Sequence, residues 1–446
     1  MGVSGYQLII GLAIGIVLLI LMIVKTRIHT FFALIISSVV TAALCGVPMD
    51  KIVSMVTTGF GNTLASIGIV VGLGILIGEV FEMSGAGEKM ANTFIKIFGE
   101  GREEWALAIT GFIISIPVFS DTAMLILFPI AKALSRKTKK SIVLLGMCLM
   151  YSAVITHTLV PPTPGPLAAA EQFGVPLGNM ILWGVIVSIP IMIAIVFYYK
   201  YMGAKIYILP EEEDENVIKD EKELPSTIAS FTPILLPVLL IVMNTVLTAT
   251  GIENYVVEIL KFAGTPVIAL SISLLISLLL LTKGMTRKEV LSRMDNGIKN
   301  AGIILLVTGG GGALGYILKE SGAGNYLGQT IANTNIPPLL IPFLIASVVR
   351  VVQGSITVSI ITAASISAPI LLNIPGVNMT FAAISCCVGA LSLSYFNDSG
   401  FWVQSNLMKL RNTKEQLLAC SLQSPIAWIT GFIMLMLLNA LFGGIA

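Results

Sequence analysis

Ser84-Gly-Ala-Gly87 and Ser321-Gly-Ala-Gly324 are one tetrapeptide written twice, 237 residues apart in a chain of 446. The same offset carries Gly74, Gly78 and Thr93 onto Gly311, Gly315 and Thr330. One residue out of register, Gly59-x-x-Asn62 meets Gly297-x-x-Asn300. A chain that repeats itself at about half its length is two copies of one unit. In a membrane-embedded protein a duplicated unit points to a transporter, with substrate held where the copies meet.

Composition places the chain in a membrane. Hydrophobic residues make up 56% and charged residues 11%, with a mean hydropathy of +0.94. Soluble domains average about 25% charged residues, and so few charges cannot cover a globular surface. Apolar runs such as 8–24, 31–46, 181–199 and 426–442 are long enough to cross a bilayer. The net charge of +2 comes without any basic block interleaved with aromatics, which excludes a nucleic-acid partner. Cys45, Cys148, Cys386, Cys387 and Cys420 lack metal-ligand spacing and read as small core residues. The first apolar run reads as a span and not as a cleavable signal, because residues 1–7 contain no Lys or Arg.

The apolar runs predict spans near 6–24, 30–47, 59–81, 141–160 and 178–200, then 229–250, 263–282, 300–318, 378–396 and 423–443. Amphipathic stretches at 86–98 and 323–333 precede two short pairs, 104–117 with 122–134 and 338–350 with 356–372. Each member of a pair is marginal for a crossing that needs about 20 residues, and small polar residues join them. That pattern predicts re-entrant hairpins, tolerated only where the backbone is buried in protein or lines a cavity. With both pairs read as hairpins, every Lys and Arg except Lys51, Lys261, Lys319 and Arg350 falls on the cytoplasmic side. These are 22 of the 26, the skew that the positive-inside rule demands. Both termini then lie outside the cytoplasm. The fold expected is an all-α polytopic membrane protein of two inverted repeats, each with about five spans, one re-entrant hairpin and one broken helix. The repeats are 1–205 and 229–446, and 206–228 is an acidic cytoplasmic linker.

Ionisable groups at membrane depth are costly and mark function. Asp121 lies at the first hairpin tip in Pro117-Val-Phe-Ser-Asp-Thr122, and Arg350 just before the second tip. His157 precedes Pro161-Pro-Thr-Pro-Gly-Pro166, whose prolines cannot continue a helix. Asp398 sits in Tyr395-Phe-Asn-Asp-Ser-Gly400, which carries turn chemistry inside an apolar segment. A broken span exposes backbone donors and the positive end of a helix dipole, which suits an anion. Glu79 falls at the cytoplasmic end of its span, where it is solvated. Gly309-Gly-Gly-Gly312 lacks the Lys-Ser/Thr of a phosphate loop and reads as a site of close helix packing.

At Ile77-Gly-x-x-x-Glu-x-Ser-Gly85, Val160-Pro-Pro162, Gln353-Gly-Ser-Ile-Thr-Val358 and Asn397-Asp-Ser-Gly-Phe-Trp402 the chain resembles the gluconate:H+ symporter (GntP-type) permeases of the ion-transporter superfamily. The resemblance covers essentially the whole length. It implies a multi-pass protein of the bacterial inner membrane that carries a small hydroxylated carboxylate, gluconate or a related sugar acid, by proton symport. Superfamily relatives imply an elevator motion and a scaffold that often forms a homodimer. Members often have His where this chain has Thr163, and their first hairpin tip is richer in aromatic and aliphatic residues than Phe119-Ser-Asp-Thr122.

The candidate substrate contacts are Ser120, Asp121, Thr122, His157, Thr163, Gly165, Gln353, Ser355, Thr357, Asn397, Asp398 and Ser399, with Arg350 supplying positive charge. Asp121 or Asp398 would carry the coupling proton, since burial favours the neutral form of a carboxyl. No metal or cofactor is expected. The alternatives are a Na+-coupled carrier of organic anions, a D-serine-type carrier, and a cation/proton antiporter using the two Asp residues. An intramembrane enzyme would need a paired nucleophile and base or a metal cluster, and two His in the whole chain offer neither.

Overall fold

A computed structural model describes residues 4–26, 28–98, 101–210, 224–252, 254–333, 336–395, 398–410 and 412–443. Positions 211–223 of the expected acidic linker lie outside them. The first half contains α1 (Gly5–Val24), α2 (Thr30–Leu44), α3 (Met49–Ser84), α4 (Ala86–Phe98), α5 (Glu103–Ile114), α6 (Ser120–Thr138), α7 (Ile142–Leu159), α8 (Pro164–Gln172) and α9 (Leu177–Lys205). The second contains α10 (Thr227–Thr250), α11 (Tyr255–Ala263), α12 (Pro266–Leu281), α13 (Arg287–Glu320), α14 (Ala323–Ala332) and α15 (Leu340–Gln353). It ends with α16 (Ile356–Leu371), α17 (Met379–Gly389), α18 (Ser399–Leu407), α19 (Thr413–Cys420) and α20 (Gln423–Phe442). The described residues are all-helical, with no strand among them.

Among these residues, seven helical stretches are long and apolar enough to cross a membrane: α1, α3, α7 with α8, α9, α10, α13, and α19 with α20. Counting α11 and α12 as one span bent by 68° makes eight. The two other expected spans are α2 and α17, apolar helices of 15 and 11 residues. The second break therefore begins earlier than Asn397: α17 already stops at Gly389. A Cβ there would stand 2.3 Å from the Phe343 carbonyl oxygen of α15. The sequence Ala390-Leu-Ser-Leu-Ser394 holds no Gly or Pro to announce that stop. Helix α11, capped by Asn254 and ended at Gly264 but not among the expected elements, has no buried residue.

The repeated tetrapeptide forms the same turn twice. Gly85 and Gly322 take φ of 76° and 78°, a backbone that only glycine holds without steric cost. Ser84 Oγ accepts from the Ala86 N–H at 3.2 Å, and Ser321 Oγ from the Ala323 N–H at 3.4 Å. Each turn starts the amphipathic helix that precedes a short pair, α4 or α14. Arms α5 and α15, of 12 and 14 residues, extend only about 18 and 21 Å at 1.5 Å per residue. A hydrocarbon core is about 30 Å thick. At Gly354 (φ 85°) the chain turns, and α15 and α16 pack along each other.

Packing is duplicated as well. α2 lies on α13 and α12 on α3; α1 lies on α14 and α10 on α4. α5 lies on α7 and α15 on α17, α7 on α9 and α17 on α20, α6 on α18 and α16 on α8. The long helices α3 and α13 run together through their glycines. A Cβ on Gly312 would lie 2.0 Å from Thr63 Oγ1, and one on Gly59 would lie 2.8 Å from the Gly312 oxygen. The Gly309–Gly312 run is thus consumed by packing, as expected. Helix α7, apolar all round, is almost wholly buried; such a helix belongs in the interior of a bundle, and α5, α6, α9 and α17 surround it.

An ion-pair cluster ties the start of α5 to α9 and to the connection between α6 and α7. Lys140 Nζ sits 2.7 Å from Glu103 and 2.7 Å from Glu104, and Lys200 Nζ sits 2.9 Å from Glu104. Burial raises the Glu104 carboxyl, but hydrogen bonds from Lys140 and Lys200 outweigh it and hold the group below its ordinary value. A depressed carboxyl stabilises the fold above its unfolded value of 4.5 and loses that contribution as pH falls through its folded value. Glu104→Gln should therefore cost about 1–3 kcal/mol at neutral pH, less than a fully buried pair because both lysines are partly exposed. Thermal unfolding of detergent-solubilised protein checks it, and the deficit should shrink below pH 4.5.

Candidate functional site

Four helices begin where the sequence breaks: α6 behind Phe119, α8 behind Thr163, α16 behind Ser355 and α18 behind Asp398. The local residues account for the starts. Pro164 presets φ at the first helical position. Ser355 Oγ accepts from the Val358 N–H at 3.4 Å, and Asp398 Oδ1 from the Gly400 N–H at 2.9 Å. These satisfy donors that a first turn leaves unmatched. α6 packs on α18 and α8 on α16, so the helices that begin at these breaks pack against one another across the sequence.

A cavity of about 30 Å3 opens where α6, α16 and α18 converge, and Ser120, Asp121, Arg350 and Asp398 line it together. Arg350 is only 3% exposed. Its Nη2 donates to Asp398 Oδ2 at 2.5 Å, and the Ser394 hydroxyl donates to the same oxygen. Arg350 Nε and Nη1 are buried and have no hydrogen-bond partner among the described residues. An unmatched buried donor costs about 1–3 kcal/mol, which makes these two guanidinium nitrogens a candidate ligand contact. With Asp398 balancing Arg350, Asp121 adds a second carboxyl to the same cavity.

A second group forms beside it. His157 Nε2 lies 3.5 Å from Thr357 Oγ1, and its ring centroid is 5.4 Å from that of Phe119, so it touches the starts of both α16 and α6. Gly165 brings α8 against α16: a Cβ there would lie 2.8 Å from Ile360 and 3.6 Å from the Thr357 Cα. The Thr163 hydroxyl is buried and donates to the Val160 oxygen at 2.7 Å. Ser355 caps α16, and Thr122 is half-buried in the first turn of α6. Gln353 stands apart. Its Oε1 accepts from the Ser355 N–H at 3.0 Å, and it borders a separate apolar cavity against α1. Asn397 lies outside the described residues, as does the side chain of Ser399, the first residue of α18.

Sequence reasoning missed four polar side chains that line the Asp121–Arg350 cavity: Tyr151, Ser394, Gln404 and Ser424. Ser394 had a signal, four residues before Asp398. Tyr151, in the middle of an apolar run without a break, had none.

Residues 7–441 match the family described as GntP family permease. The chain belongs to the GntP permease family. It is 44% identical to an "uncharacterized permease" of Haemophilus influenzae, over 98% of this chain and 93% of that protein. It is 31% identical to the gluconate permease of Pseudomonas aeruginosa, over 97% of each. The Alcanivorax borkumensis YdaH transporter has the same fold, with a TM-score of 0.69 over 92% of this chain and 98% of that one at 12% identity. This GntP permease is a multi-pass transport protein of the bacterial inner membrane and not an enzyme.

Proposed function

We propose that this GntP permease imports gluconate or a related sugar acid together with a proton, through two inverted halves that meet at the four helix starts. The observation that carries the reading is Arg350, buried with two unmatched donors in a cavity that also holds Asp121. A guanidinium fork recognises a carboxylate bidentately, and the N-termini of α6, α16 and α18 add positive dipole ends. The hydroxyls of Ser120 and Thr122, with His157, Thr163, Gly165, Ser355 and Thr357 at the neighbouring helix starts, supply the polar surface that a polyhydroxy chain needs; Asn397 and the side chain of Ser399, outside the described residues, are the remaining candidates.

Charge balance supplies the coupling. Arg350 and Asp398 cancel, so a substrate carboxylate entering beside Asp121 meets a like charge. A proton on Asp121 removes that repulsion, and anion and proton then bind together. Asp398 is the poorer carrier, because protonating it would leave Arg350 buried without its counter-charge. A cavity of about 30 Å3 holds water but not a sugar acid, since ligand pockets measure roughly 300–1,000 Å3. The tips must part to admit substrate.

Purified protein in liposomes should accumulate labelled gluconate when the outside is made acidic, and a protonophore should abolish the accumulation. Uptake that follows a Na+ gradient at equal pH, or that ignores every sugar acid in a panel, would refute the proposal.

A further inference from the structure

The apolar cavity that Gln353 borders is far larger than the polar one, about 210 Å3 against about 30 Å3. Three helices wall it: α1 with Leu19 and Ile20, α15 with a stripe at positions 345, 348, 349 and 352, and α16 with Ile366. Nine of its eleven lining residues are Ile, Leu or Val. The other two are Thr362 and Gln353, and they stand apart. Thr362 lies about 10 Å along α16 from Ser355 at 1.5 Å per residue, while Gln353 has its Oε1 taken by the Ser355 N–H. A water needs two to four polar partners, and this lining groups no such set. Protein interiors leave few voids larger than a water, and an apolar cavity of about 150 Å3 takes up benzene or xenon. A cavity of about 210 Å3 walled in this way calls for an apolar occupant.

The surface around its mouth says which one. Leu344 and Val348 line the cavity and are each 51% exposed. On α1, Val17 and Leu21 flank the lining residues and are 54% and 50% exposed. In a multi-pass membrane protein such residues face lipid, so the cavity opens sideways into hydrocarbon. Its length agrees. From Leu344 to Gln353 the lining of α15 extends about 14 Å, close to half of a hydrocarbon core about 30 Å thick, the reach of the chains of one leaflet. Such room is not general to the bundle: where Ile116 and Pro117 meet Pro233 and Pro237 of α10, only about 10 Å3 is left.

We propose that this cavity is a binding site for one acyl chain of a membrane phospholipid, which enters beside Leu344 and Val348 and lies between α1 and the pair α15 and α16. The chain packs the helix that carries Arg350: Val349, the residue before it, lines the cavity and is 5% exposed. The site holds whichever substrate the protein carries and whichever ion drives it.

The test uses the full chain in phosphatidylcholine liposomes that contain some phosphatidylcholine with a diazirine on its acyl chain. Light turns each diazirine, with loss of N2, into a carbene that inserts into a neighbouring C–H bond, and mass spectrometry of the digested protein places the adduct. Leu19, Val349 and Ile366 line the cavity and are 1%, 5% and 1% exposed, beyond the reach of lipid that only coats the surface. They should be labelled along with the outward-facing Val17. Leu34, 0% exposed and outside the cavity lining, should stay bare. Ile20→Phe with Val352→Phe fills the cavity from two walls and should abolish labelling at Leu19, Val349 and Ile366 while Val17 keeps its wild-type level. Ile20→Phe alone should lower labelling at the same three residues, even if the double variant fails to fold. Wild-type Leu19, Val349 and Ile366 as bare as Leu34 would overturn the site before any variant is made. Labelling of those three that survives the filled cavity would overturn it as well.

Discussion

Arg350→Met should abolish sugar-acid uptake and lower the thermal stability together, and adding Asp398→Asn should restore the stability without restoring uptake. Arg350 is buried against Asp398, whose carboxylate side chain is itself only 13% exposed. Removing one member of such a pair leaves an uncompensated charge and costs about 3–5 kcal/mol. Removing both leaves neutral groups that Ser394 and the Gly400 N–H still meet, and most of the cost disappears. Transport follows another rule: on the proposed reading the substrate carboxylate binds Arg350 Nε and Nη1, which have no hydrogen-bond partner among the described residues. Loss of a buried charged contact is worth about 3 kcal/mol, or at least about a hundredfold in apparent affinity. Unfolding temperature and uptake should therefore separate in the double variant. If uptake returned along with stability, Arg350 would be a structural residue and the substrate carboxylate would bind elsewhere.

Asp121→Asn should end accumulation and leave any residual uptake insensitive to pH. One proton carried with each monovalent anion allows about tenfold accumulation per unit of pH gradient, since about 1.4 kcal/mol is a factor of ten. The amide keeps the size and hydrogen bonding of the carboxyl but cannot exchange a proton. The inside-to-outside ratio should fall to about one while the wild type climbs with the gradient. Retained gradient-driven accumulation would move the coupling away from Asp121.

Most of the architecture was legible because it depends on local properties. The amphipathic helices α4 and α14 appear where Ser84-Gly-Ala-Gly87 and Ser321-Gly-Ala-Gly324 place them, since the left-handed glycine and the capping serine act within four residues. The break at Pro161–Pro166 likewise follows from ring geometry at each proline. The break before Asp398 begins earlier than the turn chemistry at Asn397 places it: α17 stops at Gly389, and residues 390–394 carry no Gly or Pro to mark that stop. Helix α11, although Asn254 caps its start and Gly264 its end, is absent from the expected elements because its nine residues are absorbed into the loop before the span at 263–282.

By itself, then, the sequence determined the all-helical membrane class, the repeated glycine turn and the polar residues at helix breaks, while of the ten expected spans seven to eight are long and apolar enough to cross among the described residues. Hydropathy and turn chemistry are properties of neighbouring residues, and those survive reading in one dimension. Only the tertiary structure decided partners. Arg350 meets Asp398 across 48 positions and His157 meets Thr357 across 200, and Tyr151 and Gln404 join them from helices with no local mark. Those pairings are set by which helix face is buried against which, and that choice is made by packing of the whole bundle.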